Sequence, residues 1–334
     1  MFTRLLTTLT AAAIAAPALA AEVNVYSYRQ PELIEPMTKA FTADTGIDVN
    51  VVFLKKGLVE RLKQEGDLSP ADLILTVDIS RVLAAVNAGV TQPISSPTLD
   101  ANVPEAFRDP DDHWYGLTAR ARIIYASKDR VGEGEVTTYE DLADPKWKGR
   151  ICTRSGMHSY TLGLLGAVIA KHGPEAAEAW AAGIKSNLAR KPQGNDRAQV
   201  KAIWAGECDL AIGNNYYMVK MLENDEQKSW ADSAAVVFPT FENGGTHMNI
   251  SGVAMTKSAP NKDNALKLME WLSSDKAQNM YANVNGEYPV KPGVDPSDVV
   301  KSFGSFTPDE TPLVEIGNAR KDAVKIMETI NFDG

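Results

Sequence analysis

Apolar positions in the first third of the chain alternate between strand-like and helix-like spacing. Behind Pro31, for example, Ile34, Met37 and Phe41 repeat at the spacing of one helix face. Three successive strand–helix units of this kind predict a parallel sheet with helices on both faces. The predicted strands are residues 23–28, 47–53 and 71–77, and the helices after them begin at Pro31, Lys56 and Ile79.

A second α/β pattern follows an apolar strand at residues 118–127, which we expect to leave the first sheet. Two α/β lobes joined by hinge strands indicate a bilobed solute-binding protein. We expect an N-terminal lobe of residues 21–120 plus 245–290 and a C-terminal lobe of residues 121–244 plus 291–334. The later strands are predicted at 150–153, 209–213, 236–238 and 250–255, and the helices at 159–171, 198–205, 218–224, 262–272, 275–284 and 319–329.

The ends of the predicted strands locate a binding cleft. Ligands of open α/β sheets bind outside the carboxyl ends of the strands, and in a two-lobed chain these ends face each other. We therefore expect residues 28–30, Asp78, 154–160 and 214–217 to line the cleft.

The first twenty residues have the character of a secretory signal peptide. Arg4 precedes a short apolar, Thr-rich run that ends in Ala18-Leu19-Ala20, an A-x-A cleavage pattern. An uncleaved membrane anchor is the alternative, but the run is short for a span. We expect cleavage after Ala20, export to the periplasm and no membrane insertion of the mature protein.

Charge and cysteine content narrow the function further. The formal net charge is −9, with no basic patch, which disfavours nucleic acid as a partner. Cys152 and Cys208 are the two cysteines, and an oxidising compartment favours a disulfide between them, with two buried thiols as the alternative.

Sequence motifs of enzymes are missing from the chain. It contains no HExxH, GxSxG, GxGxxG or P-loop pattern, so we expect a binding protein rather than an enzyme, and an exported hydrolase has no residue support. The four histidines are scattered without the spacing of metal ligands, and each is expected to be a surface or hydrogen-bonded residue. They are His113, His158, His172 and His247.

Three tyrosines occupy strand-end positions of the second lobe. Tyr216 and Tyr217 follow one predicted strand, and Tyr160 holds the corresponding place after another. Packing at a helix start would explain them. Phenolate is also a hard oxygen donor that suits Fe(III), whereas an aromatic cleft for a sugar or an organic cation is a further alternative.

The chain resembles the periplasmic ferric-ion-binding proteins of iron ABC importers, bacterial relatives of the transferrin lobe with a type II periplasmic binding protein fold. The resemblance implies that Tyr160, Tyr216 and Tyr217 bind Fe(III) through phenolate oxygens. It also implies delivery of the iron to an inner-membrane ABC permease by a monomer. It rests on the segments at residues 23–31, 69–81, 154–160, 189–194 and 213–217.

One departure from the family pattern points to an anion. Several branches carry a His or Tyr ligand where this chain has Gln30-Pro31, and neither of these residues can replace it. The most similar branch completes the iron shell with a synergistic carbonate. Arg29, Gln30 and Arg120 are the candidates for binding carbonate, since two arginines would balance its charge. Tyr28 is a weaker candidate for a fourth phenolate.

The function predicted from the sequence is therefore capture of Fe(III), with carbonate, in a cleft between two lobes. The alternative is a binding protein of the same fold for a small organic cation such as a polyamine or a thiamine-like solute.

Overall fold

The computed structural model of the protein describes residues 21–334, so the predicted signal peptide lies outside the described residues. No helix in the described part of the chain combines the length and apolar character needed to cross a membrane. The strands are β1 Glu22–Ser27, β2 Asp48–Phe53, β3 Leu73–Leu75, β4 Thr91–Gln92, β5 Tyr115–Ser127, β6 Ile151–Cys152, β7 Leu210–Asn214, β8 Ala234–Val237, β9 Met248–Thr256 and β10 Tyr288–Pro289.

Fourteen helices alternate with these strands in the described residues. They are α1 Pro31–Thr45, α2 Leu58–Glu65, α3 Ile79–Asn87, α4 Pro97–Asn102, α5 Ser159–His172, α6 Pro174–Ser186, α7 Asp196–Trp204, α8 Asn215–Leu222, α9 Lys228–Asp232, α10 Lys262–Leu272, α11 Asp275–Asn285, α12 Asp298–Ser302, α13 Leu313–Asn318 and α14 Arg320–Thr329.

The first three strands form the predicted parallel sheet, in the order β2-β1-β3. Strand β9 joins it antiparallel to β3, and β5 pairs antiparallel with β9. The mixed α/β fold predicted from the sequence is therefore present, with the late strand β9 inserted at the centre of the first sheet.

Strand β5 belongs to both sheets. Its residues from Tyr115 to Ala121 pair with β9, whereas those from Arg122 onward pair with β7 and β8. The chain thus changes sheets between Ala121 and Arg122, next to the predicted lobe boundary. All thirteen residues of β5 are buried, as expected for a strand covered on both faces.

The C-terminal helices connect the two halves of the molecule. Helix α13 packs against both α3 and α5. Two glycines permit this approach, because a Cβ on Gly166 would lie 2.7 Å from the Ile316 carbonyl oxygen and one on Gly317 would lie 2.4 Å from Leu83. Helix α14 then packs on α5 and α6.

Cys152 and Cys208 form a disulfide, with their Cα atoms 5.8 Å apart. Cys152 ends β6 and Cys208 lies just before β7, the parallel neighbour of β6. The bond therefore links strand β6, which precedes α5, to the segment that enters β7, the strand before α8.

A buried ion network ties the first sheet together. Glu287 is bound by both Arg29 and Arg120, and Ser251 on β9 accepts from Arg29 at 2.6 Å and also bonds Arg120. Burial alone would raise the pKa of Glu287, but the two guanidinium groups outweigh it and hold that pKa below its ordinary value. The carboxylate is thus ionised at neutral pH.

Replacing Gly213 with alanine should destabilise the protein, because a Cβ there would lie 2.1 Å from the Tyr125 ring. Overpacking of this kind costs about 1–3 kcal/mol. Thermal unfolding checks the prediction, with Gly132→Ala as the control, since a Cβ on Gly132 meets its nearest atom at an ordinary 3.5 Å. Equal melting temperatures for the two variants would contradict it.

Glu287→Gln should lower the free energy of unfolding at pH 7 by about 3–5 kcal/mol, because it leaves two buried guanidinium groups without their carboxylate. Since the folded pKa is depressed, this stabilisation is present above the unfolded pKa of about 4.3 and is lost as the pH falls.

Urea unfolding of wild type and Glu287→Gln at several pH values measures this difference. It should narrow as the pH drops below about 4. Glu105→Gln, at a side chain 93% exposed, is the control. If the difference in unfolding free energy between wild type and Glu287→Gln stays constant down to acid pH, the carboxylate charge is not what stabilises the network.

Candidate functional site

The three predicted tyrosines meet at one edge of the second sheet. The hydroxyl oxygens of Tyr160 and Tyr216 are 3.3 Å apart and share a hydrogen bond. The rings of Tyr216 and Tyr217 lie 4.3 Å apart, tilted by 33°. The structure therefore brings together phenols that are 56 residues apart in the chain.

The start of helix α8 determines where Tyr216 and Tyr217 point. The helix predicted from Met218 begins three residues earlier in the structure, at Asn215. Neighbouring side chains in a helix diverge by about 100° instead of pointing to opposite faces as in a strand. Both phenols consequently reach the same side of the sheet edge.

Asn215 anchors that helix start to the rest of the fold. Its side-chain oxygen accepts from the Ala121 N–H at 3.0 Å, and its side-chain nitrogen donates to the Gly286 carbonyl at 3.2 Å. Tyr125 donates to the carbonyl of Asn214 at 2.6 Å. The backbone that carries two of the phenols is thus held from β5 and from the end of α11.

Tyr160 lies in the first turn of α5, whose N-cap is His158. The His158 Nδ1 accepts from the Tyr160 N–H at 3.1 Å. Burial and the charge of Arg154 lower the pKa of His158 to about 3, so this ring is neutral at pH 7. All three tyrosines therefore occupy helix N-terminal turns, where the helix dipole favours negative charge.

Burial opposes ionisation of the phenols in the absence of a cation. It raises the pKa of Tyr216 and of Tyr217 well above the ordinary value, and the charge that neighbouring Tyr160 would carry raises both further. A ligand that removes these protons must therefore carry high positive charge.

Two arginines and an aspartate lie behind Tyr160. The Asp196 carboxylate accepts from Arg122 and Arg154, each at 2.8 Å, and from the Asn214 N–H at 2.9 Å. The guanidinium carbons of Arg122 and Arg154 lie 5.8 and 5.2 Å from the Tyr160 ring centroid.

The tyrosines open onto a cleft of about 510 Å³ that is lined by both halves of the chain. Five cationic side chains and one carboxylate, Glu32, line it. In the described residues no carboxylate lies within 4.0 Å of three of these cations, so the cleft has unbalanced positive charge. The unpaired cations are Lys55, Arg81 and Arg197, and the others are Arg154 and Lys220.

The structure separates the three predicted anion-binding residues. Gln30 is exposed and lines the cleft. Arg29 and Arg120 are buried with Glu287 and are not among the lining residues. Because Glu287, which was not predicted, pairs with both arginines, they contribute a net charge of +1 to this region instead of the expected +2.

The other predicted cleft residues have mixed outcomes. Tyr28 lines the cleft, but its hydroxyl accepts from the Leu58 N–H at 3.1 Å and Arg81 lies 4.1 Å from its ring centroid. Asp78 is buried and caps α3 instead of lining the cleft.

Three of the four histidines follow the expectation that each is a surface or hydrogen-bonded residue, since His113 bonds Thr91, His158 accepts from the Tyr160 N–H and His172 bonds Glu140. His247 does not follow it, because its side chain is buried inside the fold instead of lying at the surface. Among the described residues no group of three His, Cys, Asp or Glu side chains is arranged to hold a metal.

Sequence reasoning missed the two carboxylates that organise this region, Asp196 and Glu287. Each follows or lies within a turn-rich stretch, and nothing in its local pattern marks it as buried. Their arginine partners are far away in the chain, 74 and 42 residues from Asp196, which explains why no local pattern reveals them.

Residues 36–308 match the family of bacterial extracellular solute-binding proteins. The iron uptake protein A1 of Synechocystis is 46% identical over 92% of this chain and 86% of its own length. The apo ferric ion-binding protein A of Pasteurella haemolytica is 55% identical, with a TM-score of 0.91 over 94% of this chain and 99% of that one.

A Trichodesmium protein solved with iron and citrate ligands is 42% identical, with a TM-score of 0.88 over 93% of this chain and all of that one. These similarities confirm the predicted bilobed type II binding fold and the resemblance to ferric-ion-binding proteins. The chain belongs to the bacterial extracellular solute-binding protein family.

Proposed function

We propose that this protein captures Fe(III) through the phenolate oxygens of Tyr160, Tyr216 and Tyr217. The observation that carries the proposal is the convergence of three phenols from two helix starts at the edge of a cleft. Phenolates are hard, anionic donors, and a hard trivalent cation prefers them. The relatives named above for iron uptake and ferric binding support the same cargo.

The buried site supplies the chemistry of capture. Binding of Fe(III) displaces the phenol protons, and the cation offsets the cost of burying the phenolates. The two helix N-termini add favourable dipoles at the same place. Without a trivalent cation the raised pKa values of Tyr216 and Tyr217 keep these phenols neutral, so the empty site carries no unbalanced negative charge from them.

An anion completes the proposed site. Three phenolates fill three of the six positions of an octahedral ion, and Gln30-Pro31 provides no further ligand. We propose that this anion is carbonate. Gln30 would contact it at the cleft surface, and the positive charges of the buried Arg29 and Arg120 would stabilise it from a distance. The cationic lining supports an anionic partner, as does the citrate bound with iron in the Trichodesmium relative.

The same lining argues against the alternative ligand. An organic cation such as a polyamine would enter a cleft with five positive side chains and a single carboxylate. Unlike Fe(III), such a cation would not displace the phenol protons, so no phenolate charge would offset the Coulomb repulsion. The protein is proposed to act in the periplasm as a monomer and to hand its iron to an ABC permease, which agrees with a family of periplasmic or extracellular binding proteins.

Titration of the apoprotein with chelated Fe(III) and bicarbonate should produce a visible phenolate-to-iron charge-transfer band. Tyr217→Phe should weaken or shift that band and lower the affinity for iron at least tenfold, because one anionic ligand is lost. Absorbance and competition with the chelator measure both effects.

Tyr288→Phe is the matched control, since the Tyr288 hydroxyl is buried, has no partner among the described residues and does not line the cleft. Tyr28→Phe tests the weaker candidate ligand and should leave the band unchanged. A wild-type protein that stays colourless at every bicarbonate concentration would refute the iron proposal.

Arg197→Gln should reduce the gain in iron affinity that bicarbonate gives, by about tenfold, because it removes an unpaired cation from the cleft. Iron binding with and without bicarbonate measures this gain. Arg190→Gln is the control, since Arg190 is paired with Glu207 and does not line the cleft. If bicarbonate raises the iron affinity of a folded Arg120→Gln variant as much as that of wild type, Arg120 has no role in anion binding.

A further inference from the structure

One carboxylate connects all the segments that carry the tyrosines. Asp196 is fully buried and binds Arg122 on β5, Arg154 in the loop before α5, and the Asn214 N–H at the end of β7. Arg154 lies six residues before Tyr160, and Asn214 lies two residues before Tyr216. Asp196 therefore fixes both strand ends that lead into the tyrosine helices.

The group has a net charge of +1 beside Tyr160. Two guanidinium groups share one carboxylate, and their carbons lie 5.8 and 5.2 Å from the Tyr160 ring centroid. The Nε atoms of both arginines and the Nη2 of Arg122 are buried without a partner in the described residues. Because the group is largely buried and only Arg154 reaches the cleft, its charge on the ring is only partly screened by water.

We propose that Asp196 is a positioning residue that sets the electron-donating strength of Tyr160 toward bound Fe(III), by orienting Arg122 and Arg154 and cancelling one of their two positive charges. This inference rests on the proposed function, because it assumes that Tyr160 ligates iron.

The proposal has a spectroscopic consequence with a definite sign. Positive charge beside a phenolate stabilises its electrons, so transfer of an electron to Fe(III) needs more energy and the charge-transfer band moves to shorter wavelength. Asp196→Asn changes the net charge of the group from +1 to +2, whereas Arg154→Gln changes it to zero. The two variants should therefore shift the band in opposite directions.

The experiment records the absorbance of the iron-loaded, full-length mature protein with saturating bicarbonate. Asp196→Asn should move the band to shorter wavelength and Arg154→Gln to longer wavelength, each by about 10–30 nm, as expected for one unit charge at this distance in a partly screened site. The double variant restores a net charge of +1, so its band should return toward the wild-type position.

Two further variants separate charge from structure. Asp209→Asn is the matched control, because Asp209 is also shared by two arginines, Arg130 and Arg150, and does not line the cleft. Its band should coincide with that of wild type. Arg154→Lys keeps the charge and should restore most of the wild-type band position. If Asp196→Asn does not fold, the Arg154→Gln and Arg154→Lys pair still tests whether the net charge of the group sets the band position, and equal bands in both variants would overturn the proposal.

The outcomes distinguish this inference from the proposed function. A wild-type protein without a band would refute iron capture by the phenols and the role of Asp196 together. A wild-type band that shifts in the same direction in both single variants, or in neither, would overturn the role of Asp196 and leave iron capture standing. Loss of band intensity that grows in the double variant would show that Asp196 only maintains the structure, which also overturns the proposal.

Discussion

Parallel pairing of β6 with β7 is the constraint on which the site depends. The register joins Ile151 to Leu210 and Cys152 to Ala211, so both strands end at the same edge of the sheet. The helices that follow must then begin close together, and each carries tyrosine in its first turn. The Cys152–Cys208 disulfide reinforces this pairing from the start of β7. The phenols therefore converge because both helices start at the same sheet edge and carry their tyrosines in the first turn.

The charges around the phenols are organised in two similar groups. In each, one buried carboxylate is shared by two buried arginines: Glu287 by Arg29 and Arg120, and Asp196 by Arg122 and Arg154. Each group keeps a net charge of +1, and together they supply the +2 that would balance a doubly charged carbonate. From the sequence alone, Arg29 and Arg120 were expected to supply that whole charge. In the structure they are paired with Glu287, so their group accounts for +1 of it.

The fold was largely predictable because its elements follow local periodicity. Helix α10 was predicted over its observed bounds, and the order of strands and helices from β1 to α3 follows the apolar pattern. Helix α6 was missed because its buried face consists mainly of small residues, Ala177 and Ala181, which give little contrast with its exposed face. The place of the tyrosines after strands was visible in the sequence, but their role as iron ligands came from the family resemblance. Asp196 and Glu287 were not predicted, since their partners are distant in the chain and their burial depends on tertiary packing.

The positive charge of the cleft also affects how a bound ligand would stabilise a closed arrangement, in which the two lobes lie nearer to each other. Lys55 and Arg81 come from the first half of the chain, and Arg197 and Lys220 come from the second. Like charges contributed by the two halves of the chain repel each other when the halves approach, and this repulsion grows as water leaves the space between them. An anion between the walls reverses the sign of the interaction and stabilises the narrower cleft. A ligand shifts an equilibrium only by its difference in affinity for the two states. Under the proposed function, iron bound only to phenolates of one lobe would provide little such difference, whereas iron with an anion that contacted both lobes would provide it directly.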